Sequence, residues 1–125
     1  MKKQNLLYEL HESEFISFTM TGNDLVFRVA INCGVEERLG VKCEFAEKFY
    51  IHDIVCHEYE MIESNYNENL DLLLKDIQCF KVIEEKYLFS INLNFNESVD
   101  FIFDCESIEW FPIKIVTSNE LDKVE

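Results

Sequence analysis

From Tyr87 to Cys105 the chain reads YLFSINLNFNESVDFIFDC, and one period of two accounts for nearly all of it. Phe89, Ile91, Leu93 and Phe95 alternate with Ser90, Asn92 and Asn94. After a polar break, Val99, Phe101, Phe103 and Cys105 alternate again. Alternation of this kind places every second side chain on one face of a strand, so the stretch predicts a hairpin with one apolar and one polar face. A loop at Asn96, Glu97 and Ser98 sets Phe95 opposite Val99, Leu93 opposite Phe101, Ile91 opposite Phe103 and Phe89 opposite Cys105. A slip by one residue would turn the whole apolar set to water, so the choice of face is strongly specified. Ser90, Asn92, Asn94, Asp100 and Asp104 then form a solvated or partner-facing surface.

A second hairpin is predicted around Gly22-Asn23. It pairs Met20 with Leu25, Phe18 with Phe27 and Ile16 with Val29, and places Ser17 opposite Arg28 on the other face. A third is expected from Val41, Cys43 and Phe45, a loop at Ala46 to Lys48, and a long outgoing strand. Phe49, Ile51, Val55, Tyr59 and Met61 share a face of that strand with Asp53 and His57. IQCFKVI reads as a further strand, turned by Glu84-Glu85-Lys86. Pro112 cannot donate to a ladder, which makes the final strand, Ile113 to Thr117, an edge strand or one that begins after the proline. Two helices are expected: a turn or two over Gln4 to Leu10, and one over LDLLLKDI behind an Asn65 to Glu68 capping box. Ser118 to Glu125 reads as frayed.

These elements predict a mainly β fold, with α+β as the alternative: an antiparallel curved sheet or partly closed barrel built from hairpins, with about two short helices. With 125 residues and no linker or repeat, residues 1–125 read as a single domain. The predicted core is Ile16, Phe18, Leu25, Phe27, Val29, Cys43, Phe45, Phe89, Ile91, Leu93, Phe101 and Phe103. Emptying the central aromatic site with Phe101→Ala is expected to cost about 3–5 kcal/mol, and Asp100→Ala under about 0.5 kcal/mol.

Charge narrows the function more than any motif does. Twenty-five acidic against 11 basic residues give a net charge of -14, which opposes binding to nucleic acid or anionic membrane and favours a basic partner. The five cysteines are odd in number and scattered, a pattern expected of a reduced, cytoplasmic protein, and two of them occupy apolar-face positions. Acidic residues at positions 9, 12 and 14 interrupt anything like a secretory h-region.

Residues His52 to His57 form the one local cluster of ligand or catalytic types. On a strand, His52 and Cys56 share one face and Asp53 and His57 the other, each pair roughly 13 Å apart, so neither pair holds one zinc directly. No C-x-x-C or H-E-x-x-H spacing occurs. His11, Glu12 and Ser13 have triad residue types but are sequence neighbours pointing different ways, without elbow glycines. No cofactor, metal or catalytic residue is expected.

The pieces LHESEF and FIFDCESI give a resemblance to small immunity-type proteins encoded beside bacterial polymorphic toxins. In several such families a His-Asp-Ser-like stretch opens the first hairpin and a Phe-x-Cys element ends a late strand; here Glu12 stands where Asp is more usual. The resemblance implies a cytoplasmic protein that binds and blocks a toxin. It transfers no catalytic residue.

The expectation is therefore a non-catalytic binding protein for a basic protein partner, with Glu12, Glu14, Glu58, Glu60, Asp100 and Asp104 as contact residues and Trp110 as an apolar anchor. The competing fate for Trp110-Phe111 is a plug at the end of the sheet. The rival functions are an apolar-ligand carrier built as a β-barrel, a small hydrolase or thiol enzyme, and a mimic of nucleic acid.

Overall fold

The computed structural model describes residues 10, 13–32, 48–94 and 96–121. Along these the chain runs β1 (Glu14–Thr21), β2 (Asp24–Asn32), β3 (Lys48–His57), β4 (Glu60–Ser64), β5 (Ile77–Ile83), β6 (Lys86–Asn94), β7 (Glu97–Asp104), β8 (Ser107–Thr117) and a four-residue helix, α1 (Ser118–Leu121). The fold is mainly β. Two four-stranded antiparallel sheets, β1-β2-β3-β8 and β4-β7-β6-β5, pack face to face and do not close into a barrel. The second sheet has Greek-key order, because β5, β6 and β7 form a meander and β4 lies beside β7.

The sheets cross steeply. At its start β1 meets the beginning of β5, where Phe15 donates to the Lys75 carbonyl and Leu74 to the Phe15 carbonyl, at 2.9 and 2.7 Å. Three residues on, Phe18 packs against Phe101 of β7 and Tyr66 beyond β4, with ring centroids 5.1 and 4.8 Å away. β1 therefore passes across the second sheet rather than along it. The opposite transition is made by the chain itself: β3 ends at His57, Glu58 takes a left-handed backbone (φ 51°), and β4 begins in the other sheet. The long strand expected over 49–61 is thus two strands in two sheets. Tyr50, Ile54 and Cys56 face the core between the sheets, while Phe49 and Ile51 on the other side belong to a second, smaller core.

Between the sheets lies an aromatic core. Phe27 stacks on Phe89 with centroids 4.0 Å apart and planes within 3°, and Phe80, Phe101 and Phe103 surround that pair. Offset and edge contacts of this type add to the burial of the rings themselves. The apolar face is as predicted, with Phe89, Ile91, Phe101 and Phe103 buried; on the polar face Asn92 and Asn94 are exposed, but Ser90, expected at the surface, is buried, its hydroxyl donating to Asp100 and Gln78. Leu93 and Phe18 are only half-buried, and Cys43 and Phe45 lie outside the described residues.

Two registers differ from expectation. In the main hairpin Ile91 pairs with Val99 and Phe89 with Phe101, four residues from the predicted partners, because the strands turn tightly between Asn94 and Glu97. A slip of four keeps every side chain on its face, so alternation alone does not detect it. In the first hairpin, Met20↔Leu25, Phe18↔Phe27 and Ser17↔Arg28 are as expected, but a bulge brings Phe15, not Ile16, opposite Val29. Ile16 is turned to the outer face of the first sheet. There it joins Ala30, Ile51, Val116 and Leu121 in a second small core.

The predicted helix over 70–77 is absent. Asn65 is spent on β7 instead of a helix: its Oδ1 accepts from the Asp100 N–H at 2.8 Å and its Nδ2 donates to the Ser98 carbonyl at 2.9 Å. Asn67 and Asp71 accept from backbone N–H groups two residues on, at 2.9 and 3.1 Å, which favours turns over helix. Of the expected helix over Gln4 to Leu10 only Leu10 is described, buried and with a left-handed φ of 64° that is not helical; the third hairpin's first strand lies outside the described residues. Where fraying was expected, Ser118–Leu121 form α1, and Glu120 reaches back to its start: its Oε1 accepts from the Thr117 hydroxyl at 2.9 Å and from the Thr117 N–H at 3.2 Å, the glutamate half of a capping box.

Candidate functional site

On one side of the second sheet, strand ends and turns bring carboxylates together from separate parts of the chain. β7 ends at Asp104, which pairs with Glu60 at the start of β4. Level with them, β5 and β6 are joined by a two-residue turn, Glu84-Glu85, with Ile83 opposite Lys86. The chain then rises to the first sheet through Glu106, whose N–H donates to the His57 carbonyl at 2.9 Å, and enters β8, which carries Glu109. Glu58 lies at the neighbouring β3–β4 turn. Among these, Glu58, Glu60, Glu84, Glu85, Glu106 and Glu109 are solvent-exposed. Lys86 adds one exposed cation.

Three of these glutamates are held in unfavourable backbone. Glu58, Glu84 and Glu85 have φ of 51°, 48° and 66°. Positive φ at both central residues is the pattern of a type I′ hairpin turn, where Asn-Gly is the usual choice because other side chains clash in the left-handed region. Local stability therefore does not explain glutamate at these positions.

His57 crosses the first sheet's outer face beside this rim. Its Nε2 lies 2.6 Å from Glu109 Oε1 and its Nδ1 3.2 Å from Asp24 Oδ1. With a carboxylate against each ring nitrogen the imidazolium is favoured, so its pKa is raised, chiefly by the bond to Glu109; desolvation opposes this, and the bond to Asp24 and the charges of both carboxylates add to the rise. On the same face Asp53 holds Arg28 in a bidentate pair, at 2.7 and 2.9 Å, which raises the guanidinium pKa further. Ser17, Thr19 and Val26 line a cleft of about 400 Å³ beside that pair.

The residues singled out in the sequence are only partly gathered here. Glu58, Glu60 and Asp104 belong to the acidic side. Asp100 lies further down β7, where Ser90 and Ser98 hydroxyls reach its Oδ1 at 2.6 and 3.1 Å. Glu14 is distant, at the start of β1, where it bridges to Asp76. Glu12 lies outside the described residues. Trp110 is half-buried, its ring 6.0 Å from Phe80, while its neighbour Phe111 is exposed. Asp24, Glu84, Glu85, Glu106 and Glu109 are additions from the structure. The sequence signal for two of them was the turn between IQCFKVI and KYLF.

The His52 to His57 segment divides as its alternation requires, with Cys56 inward and Asp53 and His57 outward. Cys56 meets Cys105, and that contact together with burial pushes the Cys56 thiol strongly up, opposite to what a nucleophilic cysteine needs. His52 is buried, with Nδ1 3.4 Å from the Tyr50 carbonyl oxygen. Among the described residues no group of three or more His, Cys, Asp or Glu is arranged to hold a metal ion, and no helix is long and apolar enough to cross a membrane.

No family model matches the chain, and no curated protein or solved structure matches it.

Proposed function

We propose that this chain is a non-catalytic acidic binding protein that neutralises a basic protein partner. Under the resemblance carried by LHESEF and FIFDCESI, the partner is a bacterial toxin and the chain is its immunity protein; the net charge of -14 points to a basic toxin, of the kind that acts on nucleic acid. The observation that carries the reading is the acidic side, where Glu58, Glu84 and Glu85 accept left-handed backbone that Asn or Gly would occupy at lower cost. A net charge of -14 also exceeds the magnitude of about 2–8 that solubility asks of a small domain. Surplus surface charge of this size steers a cationic protein, acting mainly on the association rate.

An apolar-ligand carrier has less support, because the space between the sheets is filled by the stacked Phe27 and Phe89 and the rings around them. A thiol hydrolase has less again. Cys56 and His57 point to opposite faces of β3, and both nitrogens of His57 are committed to carboxylates. The test is to capture partners with the full chain and measure association kinetics of the captured protein across ionic strength. A basic partner whose association rate falls steeply with salt supports the reading, and an acidic or neutral partner, or a flat salt response, rejects it.

A further inference from the structure

Two buried thiols take no part in the acidic side, and they meet where the chain passes between the sheets. Cys56 is the penultimate residue of β3 and is fully buried, paired with Leu25 of β2 on one side and Ile108 of β8 on the other. Cys105 directly follows β7 and is 9% exposed. Both belong to the core between the sheets. Backbone closes this corner: Glu106 donates to the His57 carbonyl at 2.9 Å, and His57 pairs with Ser107 as β8 begins. The residue before each partner of that bond is one of the two cysteines, and the Cys56 thiol donates to the Cys105 sulfur.

A disulfide needs adjacent backbones and side chains aimed at one another. The bond from Glu106 to His57 supplies the first, and the thiol contact supplies the second. We propose that Cys56 and Cys105 are an oxidisable pair, closed by a low-molecular-weight disulfide into a covalent bond between the end of β3 and the end of β7. Cys105, the more accessible of the two, gives its proton to solvent and attacks one sulfur of the oxidant. The oxidant's S–S bond breaks, a mixed disulfide forms and one thiolate leaves, taking up a proton. Cys56 then attacks the Cys105 sulfur, its own proton passing to the second departing thiol. The protein loses two protons and two electrons, and the oxidant gains them as two thiols. In the reduced pair, the contact with Cys105 and burial hold the proton on Cys56, which keeps it inert to reagents in solvent. The part owed to Cys105 disappears once Cys105 is in the mixed disulfide. The closed bond encloses a loop of about 50 residues and fastens one sheet to the other beside the turn that carries Glu58. This site does not depend on the binding function proposed above.

The test equilibrates the full, folded chain with reduced and oxidised glutathione, blocks the remaining thiols and maps linked peptides by mass under non-reducing conditions. A peptide joining Cys56 to Cys105 is expected. The melting temperature should rise by about 10 °C, as closing a loop of this length predicts, and dithiothreitol should reverse the rise. Amide exchange should slow at Tyr59 and Glu106, whose N–H groups bond the Asn23 and His57 carbonyls at this corner. Cys105→Ala should show none of these effects, and mapping on the unaltered chain does not depend on that variant folding. If Cys56 and Cys105 stay reduced while Cys79 takes up glutathione, or link to each other only in denaturant, the pair is packing alone and the proposal is overturned. A link that forms but lowers the melting temperature overturns it too, because the folded corner then does not fit the bond.

Discussion

Replacing Glu84-Glu85 by Asn-Gly should make the protein more stable and a slower binder. A non-glycine residue in the left-handed region costs about 1–2 kcal/mol. Both turn residues occupy it, with φ of 48° and 66°. Asn at position 84 recovers about 0.5–1 kcal/mol. Gly at 85 removes the whole clash but returns about 0.5–1 kcal/mol through the extra freedom of the unfolded chain, leaving a net gain of similar size. The sum is about 1–2 kcal/mol, or about 4–8 °C in melting temperature for a chain of this length. Relief of repulsion between adjacent carboxylates would raise stability too, so the control is Glu84→Gln with Glu85→Gln, which removes the charge and keeps the strained backbone. Melting followed by circular dichroism should rank the Asn-Gly variant clearly above the Gln-Gln variant, and both should bind a capped synthetic peptide of alternating Lys and Ser more weakly than the unaltered chain. If Gln-Gln and Asn-Gly are equally stable, the backbone is not strained and the argument that these glutamates are kept for their charge fails.

Phe101→Ala should cost about 3–5 kcal/mol in denaturant melts, since Phe101 packs against Phe18, Phe27 and Tyr66. Asp100→Ala should cost about 1 kcal/mol, more than its place on a polar face suggested, because the buried Ser90 hydroxyl loses its nearest acceptor at 2.6 Å; equal costs for the two would contradict the packing order. His57 should titrate above its ordinary value of 6.5 in an NMR pH series. A raised folded-state pKa means that its stabilising contribution is complete below the unfolded value and is lost as pH rises through the folded one, and His57→Asn should erase that dependence. Site-resolved alkylation of the native protein should modify Cys79 well before the buried Cys56 and Cys105, and prior reaction at Cys56 would refute its assignment as an inert core thiol.

The sequence and the structure agree where the relevant rule is local. Alternation names the buried faces of Phe89, Ile91, Phe101 and Phe103 because it follows from the pleat alone. It fails on register, since pairing Ile91 with Val99 or with Phe103 leaves the same faces buried, and it fails at Ile16, where a bulge serves two cores on opposite faces of one sheet. The helix expected behind Asn65 is lost to a tertiary competitor, the edge of β7, that no local pattern contains. Pro112 correctly marked the edge strand, but not that β8 begins five residues earlier and carries the proline at a bulge. The acidic side was legible in part, since Glu58, Glu60 and Asp104 were among the expected contact residues; that Glu85 and Glu109 join them was not, because strand pairing and the β5–β6 turn bring them from other parts of the chain. The strain at Glu84 and Glu85 was equally hidden: the sequence marks a turn there, while its handedness comes from the twist of the strands it joins.

The most direct test of the central claim is the association rate of the captured basic partner across ionic strength, for the unaltered chain and for Glu58→Gln, Glu84→Gln, Glu85→Gln combined. A partner-directed acidic side predicts a rate that falls steeply as salt rises, a shallower fall for the triple variant, and a dissociation rate little changed in both. Equal salt dependence in the two proteins would mean that these carboxylates do not face the partner.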